Sequence, residues 1–323
     1  MLAVSGGPDS MALLHLVAAW RPPGLPITVA SVDHGLRPEA ALEAAAVVAT
    51  AHGLDLPATL LRWEGEKPST RLQARARAAR YDLLATHARA FGAQHIVTAH
   101  TLDDQAETLL MRLAAGSGPR GLAGMLPCSV WDGMVVARPL LGVRKAALVA
   151  LCRSAGWAFF DDPSNHAPRF ARARWRALAP MLGAEGLTPE RLATLATRLA
   201  RAERALEAAT QTAAVICAGA GEHGTRRFSQ ALWDQPDELV LRLLAAALQD
   251  VAPESPHRLA KLEGLLVAFR QARQQGLPLR RTLQGCLVAL DRHGCVSVGI
   301  EGPRKAASPA RAANLATSLN AKR

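Results

Sequence analysis

The sequence predicts an α/β protein: a doubly wound, Rossmann-like parallel sheet followed by a mainly helical C-terminal region. Short apolar runs alternate with helix-length segments through the first half of the 323 residues, an order typical of parallel strands joined by crossover helices. A glycine-rich loop lies between the first apolar run and the first helix-length segment. After residue 186, strand-like runs become rare and long helical patterns dominate.

Strands are predicted in the first half at residues 2–4, 27–32, 59–63 and 95–99. The run at 27–32 is mostly apolar and rich in β-branched side chains, which is typical of a strand buried on both faces. Because ligands of such sheets bind beyond the carboxyl ends of the strands, we expect the site in the loops after residues 4, 32 and 99. Helices are predicted between and after the strands, at residues 10–20, 39–52, 71–91, 102–115 and 144–155.

The second half begins with a change of composition near residues 183–186. Thr188-Pro189-Glu190 then predicts a helix start, since it offers an N-cap hydroxyl, a proline at the first helical position and an acid near the positive helix end. We expect this helix to extend to about residue 217, followed by helices at 236–250 and 255–274 and a β-hairpin within 286–300. The predicted domains are residues 1–185, residues 186–301, and a disordered basic tail at residues 302–323.

The charge balance points to a polyanionic partner. The formal net charge is +11 and the sequence pI is about 10.4, a combination typical of nucleic-acid-binding proteins. The five cysteines form no C-x-x-C pair, which argues against a zinc or iron–sulfur framework and fits thiols in a reducing cytoplasm. No apolar run reaches the length of a membrane span, so we expect no membrane partner.

The loop Ser5-Gly6-Gly7-Pro8-Asp9-Ser10 predicts a phosphate-binding site. Glycines let the backbone approach a phosphate closely, the serine hydroxyls donate to it, and the start of the next helix offers free N–H groups. Asp9 suits a magnesium ion. The loop lacks Gly-Lys-Ser/Thr and is therefore no Walker A motif. The alternative is a tight strand–helix turn without a ligand.

Polar residues follow the other predicted strands. Asp33 and His34 come after the second strand and His100 after the fourth, so all three are expected to face the crevice of the loop. Arg77 and Arg80 lie three apart on a predicted helix and share one face. A capped turn, an exposed basic helix face and a structural histidine are the respective alternatives.

Two more clusters carry charge. Asp104 and Glu107 lie three apart at the start of a predicted helix, so their carboxylates converge and suit a cation, either magnesium or an ammonium group. Simple helix capping is the alternative. An arginine-rich segment follows Asp162-Pro163-Ser164-Asn165, and its density predicts phosphate contacts, against a solvated helix face as the alternative. Its candidate nucleic-acid contacts are Arg172, Arg174 and Arg176.

These motifs, in this order, resemble the tRNA(Ile)-lysidine synthase family over roughly residues 1–182. The first loop resembles the PP-loop of ATP pyrophosphatases, and Val32-Asp33-His34-Gly35-Leu36-Arg37 narrows the resemblance to this family. The chain departs from the family pattern at Gln73, Ala115, Ala173 and Trp175, where the family commonly has Glu, Arg, Asn and an aliphatic residue. Further matches are Ala76-Arg77-Ala78-Ala79-Arg80-Tyr81, the segments 98–108 and 116–125, and Arg138-Pro139-Leu140-Leu141 with Arg144.

The resemblance implies that ATP, with Mg²⁺, adenylates C2 of the wobble cytidine of a tRNA(Ile) with a CAU anticodon, and that free L-lysine then displaces AMP. Residues 1–185 would be the ATP-binding catalytic domain and residues 186–301 the tRNA-binding region. Asp104 and Glu107 would bind and deprotonate lysine, and Asp33 would position the base or, with Asp9, hold Mg²⁺. The nucleotide would contact Ser5, Gly6, Gly7, Pro8, Asp9, Ser10, His34, Arg77 and His100.

Other functions remain open at this point. A related enzyme that thiolates a cytidine would need paired cysteines, which the chain lacks. A small-molecule amidotransferase or synthetase with the same loop would not need the arginine run or the basic excess. A tRNA-binding protein without catalysis would have no reason to keep the loop and the carboxylates intact. The oligomeric state is open, with a homodimer as one option.

Overall fold

The computed structural model describes residues 1–68, 70, 72–161, 171–221, 224–254 and 259–302. The chain forms two compact units, Met1–Glu203 and Arg204–Arg323. The division falls inside a long helix, whereas the composition change at residues 183–186 coincides with a turn between two helices. The functional boundary at residue 185 stays a prediction. The segment 162–170 and the tail after residue 302, which the sequence analysis also discussed, lie outside the described residues.

One mostly parallel sheet organises the first unit. Its strands are Leu2–Ala3 (β1), Val29–Asp33 (β2), Ala58–Arg62 (β3), His95–Thr98 (β4), Cys128–Trp131 (β5) and Met134–Ala137 (β6). The strand order is β3-β2-β1-β4-β6-β5. Every neighbouring pair is parallel except β5 with β6 at one edge. The predicted parallel sheet is confirmed, and the bounds of its first four strands differ from prediction by no more than two residues.

Helices cover both faces of this sheet. The helices of the first unit are Pro8–Trp20 (α1), Pro38–Gly53 (α2), Leu72–Ala90 (α3), Leu102–Ala114 (α4), Pro119–Leu122 (α5), Lys145–Ser154 (α6), Ala171–Ala184 (α7) and the start of Pro189–Cys217 (α8). Successive strand residues point to opposite faces. Leu2 accordingly packs with Leu14 of α1 and Val47 of α2, whereas Ala3 packs with Leu84 of α3. The doubly wound arrangement is therefore confirmed.

The strand order places a topological switch at β1. The chain runs outward from β1 to β2 and β3, and β4 then pairs with the other side of β1. At such a switch point the loops after the two central strands separate and open a crevice, which is where open α/β sheets bind ligands. The loops that follow β1 and β4 are the glycine-rich loop and the segment from Ala99 to Thr101, so the fold brings them to one crevice.

The hairpin of β5 and β6 was not among the predicted elements. Its turn is Asp132-Gly133, with φ of 46° and 76°. Two positive φ values suit the tight turn that matches the twist of an antiparallel pair, and Asp-Gly between apolar runs is a strong hairpin signal.

The second unit has a sheet of its own. It contains Arg226–Phe228 (β7), Leu279–Leu283 (β8), Cys286–Leu290 (β9), Val296–Ile300 (β10), Asp237–Val251 (α9), Leu259–Gln274 (α10) and a short 3₁₀ helix at Gln230–Asp234. The sheet order is β7-β10-β9-β8, all antiparallel. The hairpin of β9 and β10 was predicted, but β7 and β8 were not, because adjacent arginines interrupt their apolar alternation. No described helix is long and apolar enough to cross a membrane.

Candidate functional site

The glycine-rich loop is held rigidly at the end of β1. Gly6 adopts φ of +85°, and a β-carbon there would lie 3.0 Å from Cδ2 of Phe160. The Phe160 N–H donates to the Gly6 carbonyl at 2.9 Å, so the extended segment before residue 161 backs the loop. The Ser10 hydroxyl accepts from the Ser5 N–H at 3.2 Å and donates to the Gly7 carbonyl at 3.0 Å. No atom lies within 4 Å of a β-carbon built on Gly7, which leaves the N-terminus of α1 approachable.

Asp9 binds a lysine that the sequence analysis missed. Nζ of Lys145, the first residue of α6, donates to Oδ2 of Asp9 at 2.7 Å. The other oxygen, Oδ1, is buried without a hydrogen-bond partner among the described residues. Burial raises the pKa of Asp9, and the Lys145 ammonium opposes that rise. Lys145 stands beside Arg144 of the quoted motif, so its position in the sequence was visible but its contact was not.

Glu107 receives a cation in this structure. Arg176 of α7 donates from Nε to Oε1 at 2.5 Å and from Nη2 to Oε2 at 3.2 Å. The same guanidinium lies 3.9 Å from Oδ1 of Asp104. The two carboxylates thus lie beside the same guanidinium, that of Arg176, which was predicted to contact nucleic acid; the predicted binding of magnesium or of a lysine ammonium at this pair stays a prediction.

The neighbouring Asp104 combines a structural and an electrostatic role. Its Oδ2 accepts from the backbone N–H of Thr101 at 2.9 Å and from the Thr101 hydroxyl at 3.0 Å. The Asp104 N–H donates to the Thr101 hydroxyl oxygen at 3.3 Å, and the two contacts that involve backbone N–H groups form the capping box that starts α4. Burial favours a higher pKa for Asp104, but the Thr101 hydrogen bonds and the charge of Arg172 hold it below its usual value. Burial raises the pKa of Glu107 against the opposing effect of Arg176. Two nearby carboxyl groups thus have pKa values displaced in opposite directions, a pattern common at catalytic sites.

Asp33 is the last residue of β2, one residue beyond the predicted strand end, and His34 follows the strand. Oδ1 of Asp33 accepts the Gly35 N–H at 2.8 Å and closes a small turn. The His34 ring lies edge-on to Trp63, with centroids 6.3 Å apart. Burial, aided by the positive charge of Arg80, lowers the pKa of His34 to about 4. His34 is therefore neutral near pH 7 and can donate a hydrogen bond to a nucleotide or accept one from it.

His100 follows β4 and is also neutral. Its Nδ1 lies 2.8 Å from the Thr98 hydroxyl. Burial lowers its pKa to about 3, and the charges of Arg77, Arg138 and Arg80 contribute. Arg80 acts on both His34 and His100, so the ends of β2 and β4 face a common positive region.

The lowered pKa values of the half-buried His34 and His100 predict a loss of stability in mild acid. In the unfolded chain the two histidine side chains take up a proton near pH 6.5. In the folded protein His34 stays neutral down to about pH 4 and His100 down to about pH 3. Stability rises with pH wherever the unfolded state binds more protons. The free energy of unfolding, measured in urea, is therefore expected to fall as the pH is lowered from 6.5 towards 4.

His100→Asn is expected to make that pH dependence shallower, while the exposed His52→Gln is expected to leave it unchanged. A His100→Asn protein with the same loss of stability per pH unit as the wild type would contradict the assigned burial effect.

The predicted residues are thus brought together in part. Electrostatic interactions join Asp9 to Asp104 and Arg176, which ties the glycine-rich loop to the carboxylates after β4. Asp33 interacts instead with His34 and the Gly35 backbone. Arg77 and Arg174 are exposed, and Arg172 is half-buried near the carboxylates. The roles assigned to all these residues stay predictions.

A magnesium ion would fit best at Asp9. The described residues contain no group of three or more metal-ligating side chains, but Mg²⁺ in nucleotide sites commonly takes only one or two carboxylates, with phosphate oxygens and water completing its shell. The buried, unpartnered Oδ1 of Asp9 offers such a ligand. Asp33 is the weaker candidate for a magnesium ligand, because its Oδ1 already accepts a hydrogen bond from the Gly35 N–H.

Comparison with known proteins identifies close relatives. Residues 1–182 match the family model described as a PP-loop domain. The chain is 52% identical over 310 residues to the tRNA(Ile)-lysidine synthase of Methylobacterium sp. (strain 4-46), which covers 94% of this chain and 90% of the relative. It is 49% identical to the enzyme of the same name from Rhodopseudomonas palustris (strain ATCC BAA-98 / CGA009), with 90% and 87% covered.

A solved structure shares the fold. The U34-tRNA thiolase NcsA from Methanococcus maripaludis, solved with its [4Fe-4S] cluster, superimposes with a TM-score of 0.54 at 15% sequence identity, over 62% of this chain and 71% of that one. In the present chain all five cysteines are free. The similarity concerns the fold alone and carries no inference about a cluster.

Proposed function

This chain belongs to the family of tRNA(Ile)-lysidine synthases, which are ligases, and we propose that it joins free L-lysine to C2 of the wobble cytidine of tRNA(Ile) through an adenylated base. The family membership supports ATP use and lysidine formation. One observation carries the two-step proposal: the glycine-rich loop follows β1, the Asp104–Glu107 pair lies at the start of α4 after β4, and β1 and β4 are adjacent parallel strands, so both groups lie at the same edge of the sheet.

In the first step the cytidine C2 carbonyl oxygen would attack the α-phosphorus of ATP and release pyrophosphate. The backbone N–H groups at the start of α1 would bind the phosphates, supported by the positive end of the helix. Lys145 stands 2.7 Å from Asp9 and can move its ammonium group to a phosphate oxygen. Bound Mg²⁺ would supply further neutralisation of the leaving pyrophosphate. His34 and His100, both neutral, would donate or accept hydrogen bonds without adding charge.

In the second step the lysine ε-amino group would attack C2 and displace AMP. An ammonium ion cannot attack, so it must first lose a proton. Glu107, with a pKa raised by burial, is the better proton acceptor, and Asp104, with a lowered pKa, is the better permanent anion. Glu107 would therefore act as the base and Asp104 would hold the ammonium.

The tRNA would lie over the arginines of α7. Arg174 is exposed and Arg172 half-exposed, and a helix face of this charge suits phosphate oxygens. The net charge of +11 supports a polyanionic substrate. The CAU anticodon follows from the family resemblance alone.

Mass analysis of tRNA would test the proposal. A tRNA(Ile) transcript incubated with the protein, ATP and isotopically labelled lysine should gain the mass of lysine minus water at the wobble cytidine, with AMP and pyrophosphate released. Pyrophosphate exchange into ATP should require tRNA but no lysine. Exchange that requires lysine but no tRNA would refute the adenylated base, because lysine itself would then be the adenylated group.

Lys145→Met is expected to lower kcat/KM for ATP in that exchange by about tenfold or more, since one preorganised positive charge is lost at the developing pyrophosphate. Lys145→Arg should recover part of the activity. The exposed basic residue Arg153, one of the last residues of the same helix α6, provides the matched control, and Arg153→Met should behave as the wild type. A normal kcat/KM for ATP in Lys145→Met would exclude a phosphate contact.

A further inference from the structure

Three of the four oxygens of the carboxylates proposed for lysine already accept hydrogen bonds in this structure, and the fourth has a guanidinium close to it. Arg176 takes both oxygens of Glu107, at 2.5 and 3.2 Å. Thr101 takes Oδ2 of Asp104, and Arg176 lies 3.9 Å from Oδ1. A lysine ammonium needs acceptors and would also stand beside a guanidinium of like charge. Arg176 and the lysine ammonium therefore compete for one position.

The guanidinium is built into this position by packing. Trp175 and Leu182 of α7 pack on the core formed by Ala106, Leu109 and Leu110 of α4 with Leu192 and Ala196 of α8. This core sets α7 against α4, which places Arg176 opposite Glu107. The arginine is hence a fixed partner of the acids, delivered by its helix.

The guanidinium can nevertheless leave without unpacking the helix. The side chain of Arg176 is 32% exposed, whereas those of Glu107 and Asp104 are 11% and 16% exposed. The arginine therefore covers the acids from the solvent side. Arg172 lies one turn earlier on the same helix, and its charge acts on the same two carboxylates. A phosphate arriving on this face meets two arginines and offers Arg176 an alternative bidentate partner.

We propose that Arg176 occupies the lysine ammonium position until a tRNA phosphate draws it away, so that lysine binds after tRNA. The inference rests on the proposed lysine site at Asp104 and Glu107. Arg176 then pairs with the two acids in the free protein and with a tRNA phosphate in the complex. In the absence of tRNA, the apparent affinity for lysine is then the intrinsic affinity multiplied by the small fraction of molecules in which Arg176 has left the acids.

Equilibrium dialysis with labelled lysine, without ATP, tests this order. Wild-type protein should bind lysine at least about tenfold more tightly with tRNA(Ile) transcript than without it. Arg176→Gln should bind lysine without tRNA at least about tenfold more tightly than the wild type. Arg176→Lys keeps a cation beside the two acids, so its affinity for lysine without tRNA should stay as low as that of the wild type. Arg89→Gln removes an exposed arginine that pairs with Asp132 and serves as the control for loss of one positive charge.

The outcomes separate this inference from the proposed function. If Arg176→Gln binds lysine no better than the wild type without tRNA, Arg176 does not obstruct the site. If Arg176→Gln fails to fold, equal lysine binding by wild-type protein with and without tRNA overturns the inference by itself. Lysine binding to the tRNA complex that survives unchanged in Asp104→Asn shows instead that the ammonium site lies elsewhere, and the lysine site on which the proposed function depends is then wrong.

Discussion

Replacing Glu107 by glutamine is expected to lower lysine transfer to tRNA by about 100-fold or more, the range typical of a lost general base. The amide keeps the size of the side chain but cannot accept a proton. The tRNA-dependent exchange of pyrophosphate into ATP should persist, because adenylation of the base precedes the need for a nucleophile. A simultaneous assay of exchange and of labelled lysine in tRNA would show the two activities separating.

Glu238→Gln is the matched control for this substitution. Glu238 also accepts a hydrogen bond from an arginine, Nε of Arg242, at 2.8 Å, but it lies in the second unit on α9. Lysine transfer within about threefold of wild type is expected for Glu238→Gln, since surface ion pairs contribute little. Lysine incorporation at the wild-type rate in Glu107→Gln would remove that residue from the reaction. A loss of exchange as large as the loss of transfer would place it in the first step.

Asp104→Asn should have a mixed effect and is the less informative variant. Asparagine at this position weakens the charge-assisted contacts with Thr101 that start α4. Loss of a helix cap costs about 0.5–2 kcal/mol of stability. Reduced lysine transfer in this variant would thus combine a local change at the helix start with the loss of an anion, and a urea unfolding curve is needed to separate them.

Much of the first unit could be predicted because its signals are local. A few neighbouring residues are enough to predict β2 from its apolar run and the start of α8 from its proline. The positions of Asp33, His34 and His100 at strand ends followed from the parallel sheet alone. These predictions needed only strand and helix periodicity and the rule that ligands lie at carboxyl ends.

The electrostatic partners could not be predicted in the same way. Lys145 reaches Asp9 across 136 positions of sequence, and Arg176 reaches Glu107 across 69. Such contacts depend on how α6 and α7 pack, which periodicity does not determine. The sequence analysis therefore identified the acids and the arginines correctly as charged clusters but could not show that one arginine neutralises the acids. The strands β7 and β8 were missed for a different reason, since exposed arginines masked their alternation.

The largest effect on ATP use is expected from the glycine-rich loop, where two adjacent glycines should respond differently to the same added methyl group. Gly7 has φ of −71° and ψ of 165°, which alanine adopts without strain, and no atom lies within 4 Å of its built β-carbon. Gly7→Ala should therefore fold with a loss of less than about 1 kcal/mol, the cost of a poorer helix cap. Its β-carbon would stand in the open space beside the first N–H groups of α1, which a phosphate needs.

Pyrophosphate exchange by Gly7→Ala is therefore expected to fall by about 100-fold or more at fixed ATP, the effect of losing close approach to preorganised donors. Gly6→Ala should instead lose stability. Its φ of +85° disfavours any L side chain, and its β-carbon would lie 3.0 Å from Phe160 and 3.3 Å from Val47. The left-handed conformation alone costs about 1–2 kcal/mol, which a urea unfolding curve would detect.

Gly53→Ala controls for the methyl group itself, because Gly53 is exposed at the end of α2 with open space around its built β-carbon. Both its exchange activity and its stability should match the wild type. Normal exchange in a folded Gly7→Ala protein would mean that the phosphates do not approach the N-terminus of α1, and the loop would then be a structural turn. A phosphate-binding loop predicts that Gly7→Ala loses exchange with little change in stability, whereas Gly6→Ala loses stability. A purely structural turn predicts instead that each added methyl group changes only the stability.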